Sequence, residues 1–290
     1  MFPSYLSPTV LVPIKLIVPD IKVNGRALVF DATKSMPNVI ASPIFTPAAF
    51  DSGTLQFTDA MLHAEFQQAP ADWHLLFTPT VAKTLEITAP AGSVSAMQAK
   101  SGAYLGVVND DTVLDDAILK AVRKYGPDSY VIFVTYNALE HDGFGYHGAH
   151  VGNGGTTATV YAYNSWLVGV DDLLGLASPD ADTFAHEMAE TVHDALGLSQ
   201  TLLWGDWFNK NRCFQKYIEV GDAVEDAPGP VQNYRQKVTR NGKTVTYTLQ
   251  TEALLPWFER EFPSSAIHGA YSFPGETALL GPAPFTCVTK

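Results

Sequence analysis

The stretch from Ser178 to Gly197, SPDADTFAHEMAETVHDALG, constrains the chain most, because one helix has both to build core and to carry chemistry. Ser178 is placed to cap its N-terminus and Pro179 suits the first helical position. Asp180 and Asp182 complement the positive end of the dipole, and Gly197 closes the C-terminus. At about 100° per residue, Phe184, Ala185, Met188, Ala189, Val192, Ala195 and Leu196 share one arc, while His186, Glu190, His193 and Asp194 share the opposite one. The first face demands a partner layer. The second offers ligands to whatever approaches it.

His186-Glu187-Met188-Ala189-Glu190 differs by one residue from the zinc-peptidase pattern H-E-x-x-H, in which two ligands share a helical face and the glutamate is the general base. Glu190 stands where the second histidine would. A carboxylate oxygen is a competent zinc donor, and positions four apart sit roughly 5–6 Å apart at Cβ, so His186 and Glu190 can chelate one ion. The competing reading of so short a motif is a solvated polar face. A third is a metal-free carboxylate pair, Glu187 with Glu190, although positions three apart on one helix flank a scissile bond only in an unusual geometry.

Thirty acidic against eighteen basic residues give a net charge of −12, which disfavours nucleic acid and anionic membrane as partners, since no Lys/Arg cluster offsets it. No apolar run reaches the ~18 residues of a membrane span, so a soluble chain is expected. The apolar opening is broken by Pro3, Pro8, Pro13 and Pro19 and lacks a basic start, and it does not read as a signal peptide. Cys213 and Cys287 are too few for a disulfide scaffold and form no C-x-x-C.

Asn24-Gly25 sits between alternating apolar residues and predicts a β-hairpin from about Pro13 to Phe30, placed at a sheet edge by its prolines. A helix is expected after Thr54, with strands over 73–77 and 81–88. The apolar runs starting at Ala103 and Tyr130 read as strands buried on both faces, joined by a helix that Asp111 caps and Gly126-Pro127 ends. That unit predicts a parallel pair. Next comes a glycine-rich segment, EHDGFGYHGAHVGNGGTT, read as a loop that either carries His141, His147 and His150 toward the helix face or is merely flexible. Its Gly152-Asn-Gly-Gly lacks the Lys-Ser/Thr of a phosphate loop. His63 and His74 have no spaced partner and read as surface or core-edge residues. Further on, a strand over 157–163, a second hairpin at Asn241-Gly242 and a short helix after Leu254 complete the pattern, while Glu219, Asp222, Glu225 and Asp226 form an acidic patch.

In this order, VIFVTYN, FGYHGAHVGN, FAHEMAETVHD, WFN and EVGD resemble the phosphate-induced (EXORDIUM-like) protein family of plants and its secreted bacterial and fungal relatives. The likeness is clearest over about 130–222, and it matches His147, His186, Glu187, Glu190, Asp194, Trp207, Glu219 and Asp222 to the family pattern. Phe144 and Val224 stand where the family has cysteines. The resemblance implies that those positions are a disulfide pair in relatives, here replaced by an apolar contact. It also suggests secretion and a peptide or cell-wall-type substrate.

Together these readings predict an α/β (α+β), zincin-like fold: a mixed twisted sheet around the motif-bearing central helix, with β-hairpins added. Residues 1–42 would form an N-terminal hairpin arm and 43–290 a single domain. The expected function is a zinc-dependent metallohydrolase acting on peptide bonds through metal-activated water. His186, Glu190 and Glu219 are its ligands, with Asp222 or His147 as alternatives for the third. Glu187 is the general base, His147 or His193 steadies the oxyanion, and Asp194 and Asp222 orient the ligating imidazole. The alternative is a non-catalytic binding or signalling protein with a structural or vestigial metal site.

Overall fold

The computed structural model describes residues 4–141, 143–152, 155–174, 180–205, 215–225, 234–240, 242–276, 278–279 and 281. Over these the chain is a mixed α/β structure centred on a seven-stranded sheet. Its strands are β1 Tyr5–Val23, β2 Arg26–Asp31, β3 Leu75–Val81, β4 Leu85–Thr88, β5 Tyr130–Tyr136, β6 Gly145–Val151 and β7 Ala158–Trp166. The order is β6-β7-β5-β1-β2, and β1 also pairs with β3 and β4. The three longest described helices pack on this sheet or against one another: α1 Phe57–Glu65, α2 Thr112–Val122 and α3 Asp182–Asp194.

The sheet is covered on both faces, as the apolar run of β5 requires. Val131 and Phe133 join one core with Leu114, Ile118 and Val122 of α2. Ile132 and Val134 join the other core with Phe184, Ala185, Met188 and Ala189 of α3 and with Phe57 and Met61 of α1. Phe184 and Met188 are fully buried. Each such side chain contributes roughly 1.5–3 kcal/mol over an exposed one. The apolar arc of α3 thus finds its layer, save for Leu196, which lies past the helix end and is exposed.

The N-terminal hairpin forms as expected, with Asn24 at φ 51 and Gly25 at φ 77 and Val23 opposite Arg26. Its expected edge position is overturned. β3 and β5 bracket the first half of β1, and β4 and β2 bracket the second, so β1 is the centre of the sheet. The prolines fit because each of Pro8, Pro13 and Pro19 falls where a ladder on one side of the strand starts, ends or shifts register. Pro8 precedes the pairing with β5, which starts at Thr9. Pro13 sits between the last residue paired to β3, Leu11, and the first paired to β4, Ile14. Pro19 lies in the register shift between Val18 and Lys22.

A second correction concerns the parallel pair expected on either side of α2. The strand Tyr104–Val108 does not pair with β5; it lies antiparallel to Val94–Gln98 and parallel to Ala138–Glu140. Asn137 explains the change. At φ 49 it turns the chain out of β5, and its side chain locks that turn through hydrogen bonds with both the N–H and the carbonyl of Val168. The glycine-rich segment is also corrected: seven of its residues form β6, paired antiparallel with β7 from Gly145↔Asn164 to Val151↔Ala158. The second hairpin forms between Tyr234–Arg240 and Lys243–Leu249. Ser178, Pro179, Trp207, Cys213, Asp226, Asn241 and Cys287 lie outside the described residues.

Candidate metal centre

α3 runs across β7 and β6, and its polar face meets the turn 220–225. Two glycines make that approach possible. A Cβ on Gly221 would stand 2.6 Å from Cγ of His186, and one on Gly145 would stand 2.7 Å from the Tyr163 carbonyl and 2.9 Å from Glu187 Oε1. Backbone therefore lies directly against the motif side chains, where any larger residue would displace them.

Under Gly221, His186 Nε2 is 3.2 Å from Glu190 Oε1 and 3.5 Å from Asp222 Oδ1. One ligand atom from each of these residues falls within 4.8 Å of the others. Ligands about 2.0–2.1 Å from a tetrahedral zinc stand roughly 3.3–3.5 Å from one another, so this spacing suits an ion with little adjustment. The other ring nitrogen is committed: His186 Nδ1 donates to Gln250 Oε1 at 3.1 Å, and Gln250 Nε2 donates to the Gly221 carbonyl at 2.8 Å. That relay leaves the Nε2 lone pair for a metal. Glu190 Oε1 is held in place by the N–H groups of Gly221 (3.1 Å) and Asp222 (3.3 Å).

Beside this group lies a second one, in which β6 carries His147 to the same helix face. His147 Nδ1 is 3.5 Å from Glu187 Oε2 and 3.4 Å from Glu190 Oε2, and the three residues again offer atoms within 4.8 Å of one another. His147 Nε2 donates to the main-chain carbonyl of Asp194 at 3.2 Å. Glu187 Oε2 is buried and makes no hydrogen bond. A buried carboxylate oxygen without a hydrogen bond depends on positive charge nearby, and the closest described source is the His147 imidazole at 3.5 Å.

The remaining expected residues divide between positions beside these groups and positions away from them. Asp222, and not Glu219, pairs with His186; Glu219 lies on the far side of the neighbouring imidazole, 3.9 Å from His147 Nε2. Asp194 supports His147 through its carbonyl, while its Oδ1 accepts from Leu198 and Ser199 N–H at the helix end. His193 faces α1 and is held by Glu65 Oε2 at 2.9 Å and the Ala189 carbonyl at 2.7 Å, so both its ring nitrogens are engaged away from the two groups. His150 lines a separate cavity with Arg123 and Tyr125, and His141 is exposed. Phe144 packs with Leu139 and Val170, whereas Val224 is buried in the large core with α3, so the two enter separate apolar clusters in place of the expected mutual contact.

A third group, Asp59, His63 and His74, also offers atoms within 4.8 Å of one another, because Asp59 sits one turn before His63. Its polar atoms are already occupied. Asp59 accepts from Leu75 N–H and pairs with His74 Nδ1 at 2.9 Å, and His63 Nε2 bonds the Trp73 carbonyl.

Burial works against charge throughout the centre, and the pairings decide which groups keep it. For His147, burial disfavours the imidazolium, but Glu187 and Glu190 outweigh it and hold the group up to about 10. The same contest, won by Glu190 and Asp222, raises His186 well above its ordinary value. Burial raises Glu187, and it raises Glu219 to about 7 with help from the Glu190 charge. Glu190, although buried, is held below the usual carboxylate range by His186 and His147. A cleft of 140 Å³ opens onto the first group, lined among others by His186, Glu187, Asp222, Gln250 and Thr183. Gly143 and Gly145 are shared with an adjoining cavity of 310 Å³ that Asp115, Glu140 and Tyr146 help to line.

The residues of this centre come from four parts of the chain, and only the helix was written locally. Gln250, Gly221 and Gly145 carry no motif signal; their roles arise from what they touch. Against protein-family models, known proteins and solved structures the chain finds no match, so the architecture and the chemistry of the site stand on their own geometry.

Proposed function

We propose that the chain is a metal-dependent hydrolase of zincin-like design, with zinc as the ion and peptide bonds as the substrate. One observation carries the reading: His186, Glu190 and Asp222 converge at metal-ligand spacing with Glu187 lining the same cleft. Zinc held by these three would polarise a carbonyl and lower the pKa of an attacking water. Glu187 would take the proton of that water and return it to the leaving amine. Its burial raises its pKa toward the range in which a carboxylate is an effective base. His147, cationic between Glu187 and Glu190, keeps Glu187 ionised until the proton moves. Gln250 orients His186 throughout. Among the described residues β6 pairs only with β7, so its outer edge can receive an extended peptide as an added strand.

The test is elemental analysis of protein purified without a metal-affinity tag, followed by two variants. Glu187→Gln is expected to retain the ion and lose hydrolysis of a peptide library, and His186→Ala to lose both. Unchanged turnover in Glu187→Gln would eliminate the mechanism. A second reading, a non-catalytic binding protein with a structural metal clasp, is favoured by one feature: Glu190 ties α3 to the turn 220–225 through two main-chain N–H groups. Under that reading chelation lowers the melting temperature, and no library peptide is cleaved.

A further inference from the structure

We propose that the centre takes two divalent cations, with Glu190 bridging them: one at His186 and Asp222, the other at His147 and Glu187. This rests on the reading of His186, Glu190 and Asp222 as a metal site and adds a neighbour to it. The two oxygens of Glu190 face different partners. Oε1 is 3.2 Å from His186 Nε2, while Oε2 is 3.4 Å from His147 Nδ1. A carboxylate so placed bridges ions about 3.5–4 Å apart, the separation found in two-metal hydrolytic sites.

Three independent features mark the second position as a built site. Its ligand atoms stand 3.4 and 3.5 Å apart around His147 Nδ1, close to the roughly 3.3–3.5 Å of a tetrahedral set. The ring is already oriented, because Nε2 donates to the Asp194 carbonyl and leaves Nδ1 directed at the two glutamates. Glu187 Oε2, on a residue 4% exposed, points into the position without a hydrogen-bond partner. Charge gives the same count. Glu187, Glu190, Glu219 and Asp222 are four carboxylates around two imidazoles, and among the described residues no lysine or arginine forms an ion pair with any of them. A second divalent cation would offset more of that buried carboxylate charge than one alone, once both imidazoles are neutral ligands. Glu187 cannot bind the second ion and serve as general base at once. Occupancy of the second position and the base role therefore exclude each other.

The test is a zinc titration of the full chain after chelator stripping, read by calorimetry and by metal content after dialysis. A Mn(II)-loaded sample is examined by electron paramagnetic resonance. All samples carry His63→Ala, which removes the Asp59–His63–His74 group as a source of bound metal. Two equivalents and an exchange-coupled manganese spectrum are expected. Glu187→Gln, nearly isosteric and checked for folding by circular dichroism, should bind one equivalent and give an uncoupled spectrum. A single equivalent in the parent, lost in His186→Ala and untouched by Glu187→Gln, overturns the second site and leaves the first standing. No bound metal overturns both. A second equivalent that persists in Glu187→Gln and His147→Ala places that ion elsewhere and also overturns the proposal.

Discussion

At the residue scale the chemistry of the centre depends on contacts as much as on ligands, and Gln250 shows why. It sits 64 positions from His186, yet it fixes which imidazole nitrogen is free to bind. Replacing it with leucine keeps the volume and removes the acceptor, so the ring loses its preferred tautomer. Losing such a partner typically costs 10–100-fold in metal affinity, and that drop is expected for Gln250→Leu in competition with a fluorescent chelator. Equal affinity in the two proteins would show that the relay to Gly221 is incidental. Gly221→Ala tests the same contact from the other side. Its Cβ would stand 2.6 Å from the His186 ring, so the alanine variant should fold and bind zinc more weakly. His186 with Glu190, four apart, and Glu187 with Glu190, three apart, were legible in the sequence because helical spacing alone puts each pair within reach. Gln250 and Gly221 were not, because no local rule ties them to a helix that tertiary packing brings over them.

At the element scale, the two faces of α3 were legible and its neighbours were less so. Sequence periodicity identified Phe184, Met188 and Ala189 as core, and they are buried. β6 escaped it, because glycine is a poor strand former and pairing with β7 is what makes this segment a strand. His193 was assigned to the chemical face by the same periodicity, and the element packed against it decides otherwise. Its pair with Glu65 links α3 to α1, and Glu65 Oε1 in turn accepts from Leu255 N–H, so one buried carboxylate joins three segments. Both side chains of the pair are nearly inaccessible, at 3% and 1%. Removing one partner of such a pair leaves the other buried and unpaired, which costs roughly 3–5 kcal/mol. His193→Ala is therefore expected to lose about 3 kcal/mol in urea unfolding while keeping its full metal content. Loss of metal without loss of stability would instead return His193 to the centre.

At the scale of the whole molecule, the strand sequence that looked most peripheral proves central. Propensity pushed proline-bearing residues to an edge, but in the described strand Pro8 comes just before the β5 ladder starts, Pro13 falls between the β3 and β4 ladders and Pro19 falls in a register shift, a pattern visible only once the partners of β1 are known. A chain starting at residue 43 would leave β3, β4 and β5 without the strand they share, so it is expected to give no cooperative unfolding transition; a sharp one would show that the N-terminal part is dispensable. The pH dependence of stability is the other global consequence of the site. His147 is raised from 6.5 to about 10, so its contribution is complete below about pH 6.5 and lost as pH rises through about 10. Asp182 is raised by burial from 3.8 to about 7, and its contribution is likewise lost as pH climbs through that range. Glu190 is shifted the other way, so its contribution is lost only in acid, below the ordinary carboxylate range, and stays constant near neutrality. Between about pH 5.5 and 8.5 the changes thus have one sign, and the metal-free protein should melt at a lower temperature at the higher pH. Zinc competes with these protons for the same atoms and binds better as they leave, so saturating zinc should shrink or reverse the difference. A metal-free melting temperature that rises with pH over this interval would mean that the imidazoles enter the folded state neutral.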